Sequence, residues 1–145
     1  MLFAFSPFVS IGQEIDSMLF SRIKENFERG KSVNIEFHFY FDNQFKNSLN
    51  LKKLVTITHF LDEHRDINIE LRCHTDCQGR QAYLLAFSQR QAETITSFLV
   101  AYGLNEARIK ARGMGELHPI EECHHCKCED YKHRRNRRIE LIKIE

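Results

Sequence analysis

Tryptophan is absent from these 145 residues, and proline and glycine are scarce, at two and six. So little Pro and Gly excludes a collagen-like chain or a Pro/Gly-rich low-complexity one. No charge of one sign prevails: 21 Lys and Arg face 20 Asp and Glu, a formal net charge of +1. The chain therefore carries no global field favouring nucleic acid or an anionic membrane, and a charged partner must be met locally. Long hydrophobic runs are missing too. Residues 2–11, Leu2 to Ile11, are apolar, but too few to span a bilayer and without a basic segment before them. They read either as the remnant of a signal peptide or, slightly preferred, as a lead-in packed on the domain. No Ser-His-Asp grammar, glycine-rich phosphate loop or paired-carboxylate arrangement stands out, so an enzyme is not expected and no cofactor is implied. What is present is 42% hydrophobic and 28% charged residues, the balance of one soluble globular domain.

The apolar pattern divides this domain into elements. Ile15, Met18, Leu19, Ile23 and Phe27 recur at helical spacing between Gln13 and Arg29, which predicts a short amphipathic helix in a lead-in or linker over residues 1–31. From Val33 the period becomes two: Val33, Ile35, Phe37, Phe39 and Phe41 alternate with polar residues, a strand with one buried face. Asp42-Asn43 supplies turn chemistry after it. Leu51, Leu54, Val55, Thr58 and Leu61 predict a helix from about Asn47 to Glu63. Ile67, Ile69, Leu71 and Cys73 predict a second strand. Arg80 to Tyr102 lacks Pro and Gly and predicts a long helix with Leu85, Ala92, Ile95, Leu99 and Tyr102 on one face, ended by Gly103. Two further strands are expected at Arg108 to Gly113 and Arg138 to Ile144. Gly115 to Asn136 reads as too polar and too rich in Cys and His for a regular element. The order strand, helix, strand, helix, strand predicts an α/β fold, a βαβαβ(β) two-layer sandwich whose mixed sheet carries two main helices on one face.

One set of short blocks narrows the function. Ile69 to Gly79 contains Cys73-His74-Thr75-Asp76-Cys77-Gln78-Gly79; Ser88 to Ala92, Gly103-Leu104, Arg108-Ile109, Gly113-Met114-Gly115-Glu116, Pro119 and Asn136-Arg137-Arg138-Ile139-Glu140 follow. In this order and spacing they resemble the OmpA-like domain, also called the OmpA/MotB C-terminal domain, over residues 32–145. The resemblance implies a non-catalytic cell-envelope module, periplasmic and associated with the outer membrane or the wall. Its implied partner is peptidoglycan, through the diaminopimelate of the stem peptide, with envelope proteins as further partners. A carboxylate takes the diaminopimelate ammonium and an Arg takes its carboxylate through paired hydrogen bonds. Asp76 stands where the family has its acidic residue, with an N-cap or loop-stabilising carboxylate as the plainer alternative. Thr75 adjoins it, and Asp42 matches a second acidic position or merely forms a turn.

The family's Arg falls at Gln91. Arg90 is one residue early, and one helical step turns a side chain by about 100°. Leu84 replaces a common Asn nearby. These departures predict weakened wall binding that a Gln91→Arg exchange would tighten. They also keep two other readings open: an interaction module with a degraded pocket, and a Cys/His metal module. Arg137 and Arg138 read as the lead-in to the last strand.

Five cysteines, Cys73, Cys77, Cys123, Cys126 and Cys128, are many for a cytosolic chain of this size, and suggest an oxidising compartment or a metal. Cys123, Cys126, Cys128 and His133 are conceivable zinc ligands. The resemblance to family members with two cysteines in the last loop favours disulfides, Cys123 with Cys128 first and Cys77 with Cys126 second. Cys73 alternates with core residues and reads as a buried free thiol.

Overall fold

A computed structural model describes residues 14–38 and 48–144. Their elements are α1 (Ser17–Glu28), β1 (Val33–Glu36), α2 (Ser48–Glu63), β2 (Asn68–His74), α3 (Gln81–Ala101), β3 (Ile109–Gly115), α4 (Asp130–Asn136) and β4 (Arg138–Ile144). The four strands form one mixed sheet in the order β1-β4-β2-β3. β4 runs antiparallel to both neighbours, β1 and β2. β2 and β3 are parallel, joined by the α3 crossover. The architecture is the expected α/β two-layer sandwich.

Period-two alternation sets which face of the sheet is dry. Val33 and Ile35 lie opposite Leu141 and Ile139, which in turn lie opposite Leu71 and Cys73. These residues join Leu54 and Leu61 of α2 and Ile95 and Leu99 of α3 in one buried cluster. α1 contributes its i, i+4, i+8 stripe of Leu19, Ile23 and Phe27 to the same cluster. Its N-cap Asp16 accepts from Leu19 N at 3.0 Å, while Asp16 N donates to Thr56 Oγ1 on α2 at 2.8 Å. One Arg ties the opposite end: the Arg108 guanidinium donates to the carbonyls of Leu61, His64 and Ile67, at the end of α2 and in the turn that follows it.

Three local expectations are corrected. The Gly115 to Asn136 segment is not wholly irregular, because α4 forms at its end. The first ladder stops at Glu36. Phe37 is still fully buried and donates its N–H to Arg137 O, and Phe39 and Phe41 lie outside the described residues. On α3 the buried face is Leu84, Ser88, Gln91, Ala92, Ile95, Thr96 and Leu99, so Leu85, 43% exposed, is not part of it.

Candidate functional site

The loop leaving β2 holds the candidate site, and three separate parts of the chain fix its shape. From β3, Gly115 O accepts from Thr75 N at 2.9 Å. From α3, Ser88 Oγ accepts from Gly115 N at 2.9 Å and Gln89 Oε1 from Gly113 N at 2.8 Å. Gly113 has no Cβ because α3 leaves no room for one: it would sit 2.1 Å from Gln89 N. From the last loop, the Cys77–Cys126 disulfide reaches across to the residue after Asp76. A second disulfide, Cys123–Cys128, closes that loop on itself. Both pairs named from the resemblance are thus bonded. Cys73 is free and fully buried, and burial pushes its thiol well above the ordinary range.

Asp76 itself is buried. Its Oδ1 accepts from Gln78 N at 2.9 Å, a local turn bond. Its Oδ2 accepts from Arg137 Nη1 at 2.8 Å, a charge-assisted bond with a half-buried guanidinium. His133 Nδ1 lies 4.0 Å from the same oxygen, too far for a hydrogen bond, and it has no partner among the described residues. Thr75 is buried and turned to its own backbone, its hydroxyl donating to Asp76 O at 2.8 Å.

The remaining expected residues are not gathered here. Gln91 is 3% exposed on the inner face of α3 and shares no described hydrogen bond or ion pair with Asp76. Arg90 is exposed. Asp42 lies outside the described residues. Leu84 is buried and comes within 3.2 Å of where a Gly79 side chain would start, so it closes over the end of the Asp76 loop.

Arg137 is the residue that sequence reasoning misplaced: it caps α4 and faces Asp76 rather than merely leading into β4. The structure separates the roles within Asn136-Arg137-Arg138. Asn136 Oδ1 accepts from Ile120 N and Glu121 N, each at 2.9 Å, and its Nδ2 donates to Glu121 O. Arg138, 6% exposed, donates to Asn34 Oδ1, Asn136 O and His118 O. These two flanking residues hold the last loop, and Arg137 between them is left for the site. Asn136→Ala orphans two backbone donors and one acceptor. It is expected to destabilise the fold by about 2–3 kcal/mol, read as a lowered urea midpoint at unchanged slope.

A cleft of about 960 Å³ opens elsewhere, lined by residues that include Asp16, Arg22, Asn34, Lys53 and Arg138 but not Asp76. No helix among the described residues is long and apolar enough to cross a membrane.

Similarity to known proteins agrees with the fold. The OmpA family model matches residues 44–135. Outer membrane porin F of Pseudomonas fluorescens is 30% identical over 90 residues, 62% of this chain and 28% of the porin. The peptidoglycan-associated lipoprotein of Buchnera aphidicola subsp. Baizongia pistaciae is 27% identical over 101 residues, 70% of this chain and 56% of the lipoprotein. The chain thus spans about half or less of the length of these two relatives. The crystal structure of the peptidoglycan-associated lipoprotein from Burkholderia pseudomallei superposes with a TM-score of 0.63 at 22% identity, covering 77% of this chain and 89% of that one. With the family model covering more than half of the sequence, the chain belongs to the OmpA family.

Proposed function

We propose that this chain is a non-catalytic peptidoglycan-binding module that anchors an outer-membrane or periplasmic assembly to the wall. The observation that carries the reading is the Asp76–Arg137 pair at the loop after β2. The free end of diaminopimelate is a zwitterion, an ammonium and a carboxylate on one carbon, and a carboxylate beside a guanidinium is its complement. An ionised carboxylate offers about four lone-pair sites. Gln78 N and Arg137 take two of them, which leaves acceptor capacity for an ammonium. Arg137, about a third exposed, has donors left for the ligand carboxylate, and so supplies the guanidinium that position 91 lacks.

Gln91 has a different part in this reading. A guanidinium at a position 3% exposed must either be desolvated or displace its neighbours, so Gln91→Arg is expected to lower stability without tightening the ligand. The names of the relatives, an outer membrane porin and peptidoglycan-associated lipoproteins, support a periplasmic placement at the outer membrane or wall.

Pull-down on purified diaminopimelate-containing sacculi tests the reading. Native protein should sediment with the wall and Asp76→Ala should not. Asp76→Asn, which still offers an oxygen to Gln78 N, should fail as well. Arg137→Gln should weaken binding by about one to two decades, the loss of one charge-assisted partner. Native binding indifferent to both Asp76 and Arg137 would place the contact elsewhere on the domain. No binding at all would favour a protein-interaction module, a reading consistent with Asp76 being already held by groups of its own chain.

A further inference from the structure

Beyond the wall site, the two disulfides themselves form an unusual cluster. Ligand atoms of Cys77, Cys123, Cys126 and His133 all lie within 4.8 Å of one another. Cys77 comes from the β2–α3 loop, Cys123 and Cys126 from the last loop, and His133 from α4. The cystines are therefore neighbours, and three of their sulfurs, together with one imidazole, lie close together between three elements. Cys128 Sγ, the fourth sulfur, lies 3.4 Å from His133 Nε2.

We infer that, when both disulfides are reduced, this cluster is a zinc site formed by Cys77, Cys123, Cys126 and His133. Four-coordinate Cys₃His is a common structural zinc set, with Zn–S of about 2.3 Å and Zn–N of about 2.0 Å. Such a tetrahedron puts sulfurs about 3.8 Å apart. Cys77 and Cys126 are bonded to one another, and reduction frees both side chains to rotate toward that spacing. His133 supplies the independent observation. It is 5% exposed, one of its ring nitrogens lies within 4.8 Å of the Cys77, Cys123 and Cys126 sulfurs, its Nε2 is 3.4 Å from Cys128 Sγ, and its Nδ1 has no partner among the described residues while facing Asp76 at 4.0 Å. Zinc-bound histidines characteristically direct the other ring nitrogen at a carboxylate. The unsatisfied Nδ1 is thus placed as the outer half of a carboxylate–histidine–zinc arrangement.

The chemistry balances with a dithiol as reductant. Each disulfide takes two electrons and two protons from one dithiol, which closes to its own cyclic disulfide, and two equivalents yield four protein thiols. Zinc then displaces the protons of three thiols and accepts the neutral His133 Nε2 lone pair. Three thiolates and one divalent ion leave the centre with a single negative charge, beside the Arg137 cation. Cys128 remains a free thiol, which distinguishes this set from one drawn only from the last loop.

The test uses the full chain, reduced with a dithiol, freed of it anaerobically and loaded with zinc. After dialysis the reduced protein should retain stoichiometric zinc and the oxidised protein none. Alkylation followed by mass mapping should find Cys77, Cys123 and Cys126 protected by zinc, with Cys128 modified in its presence and absence alike; this readout needs no variant. Cys128→Ser should keep the metal, while Cys77→Ser and His133→Asn should weaken it about tenfold or more in chelator competition. Retention of no zinc by the reduced chain would overturn the inference. So would equal alkylation of all four loop thiols with and without zinc, or protection of Cys128 in place of Cys77.

Discussion

Gly113→Ala is expected to cost about 3 kcal/mol or more and to lower the melting temperature by about 10 °C. The added Cβ would lie 2.1 Å from Gln89 N, 2.5 Å from Gln89 Cα and 2.6 Å from Ser88 C. All three are helix backbone, so no rotamer change relieves the overlap and α3 must move off β3. Moving it also loosens Gln89 Oε1 from Gly113 N and Ser88 Oγ from Gly115 N. Gly115 in turn holds Thr75, so the damage should reach the Asp76 loop. Gly30→Ala is the control. Its φ of +68° strains an alanine, but nothing lies within 4 Å of the new atom, and the cost should be only about 1 kcal/mol. Thermal melting of the two variants beside the native chain decides the matter; similar losses for both would refute the close-approach account.

Acidification is expected to remove about 2–3 kcal/mol of stability between pH 7 and pH 4.5, most of it through His74. This side chain is 4% exposed. Burial, with Arg138 beside it, drives its pKa from 6.5 down to about 4, against the opposing hydrogen bond and charge of Glu140. The folded state therefore binds fewer protons than the unfolded one across that window. The stabilisation is complete above pH 6.5 and is lost as the pH falls toward 4. His38 adds in the same sense, its pKa lowered first by burial and then by Arg137. Glu70 is held below the usual carboxylate range by its hydrogen bond to Arg72, which adds a further loss below about pH 4.5. Urea unfolding at the two pH values measures the effect, and His74→Gln should flatten most of it. A native chain equally stable at both would exclude a neutral His74 as the cause.

Much of the fold was readable because β2, α2 and α3 carry dense apolar periodicity. Ile69, Leu71 and Cys73 face the core, while Arg72 between them stays half-exposed on the other face. The failures have a common physical origin in polar residues that are buried. Ser88 and Gln91, at 0% and 3% exposure, set the inner face of α3. An apolar pattern has no means of registering them, and it placed Leu85 inside in place of Leu84. α4 went unseen for the same reason, since its buried residues are His133 and Asn136. The candidate site was half legible. Asp76 could be placed by the block around it, but its partner Arg137 lies 61 residues away, and no local spacing brings the two together. The resemblance brought Arg137 to notice within Asn-Arg-Arg, and only the fold separates its role from those of Asn136 and Arg138.

The middle position of β4 bears on the order in which the molecule can be completed. β4 lies between β1 and β2 and hydrogen-bonds to both, yet it is the last of the four strands to be synthesised. Until residues 138–144 emerge, β1 lacks its partner in the sheet and only β2 and β3 can pair. Such long-range closure is slow, because the entropy of the intervening chain must be given up before the contacts form. A growing chain therefore cannot complete this sheet before β4 emerges. Arg137 immediately precedes β4, so Asp76 gains its guanidinium only as the central strand docks, and the pair that recognises the wall in our reading arises in the final act of folding.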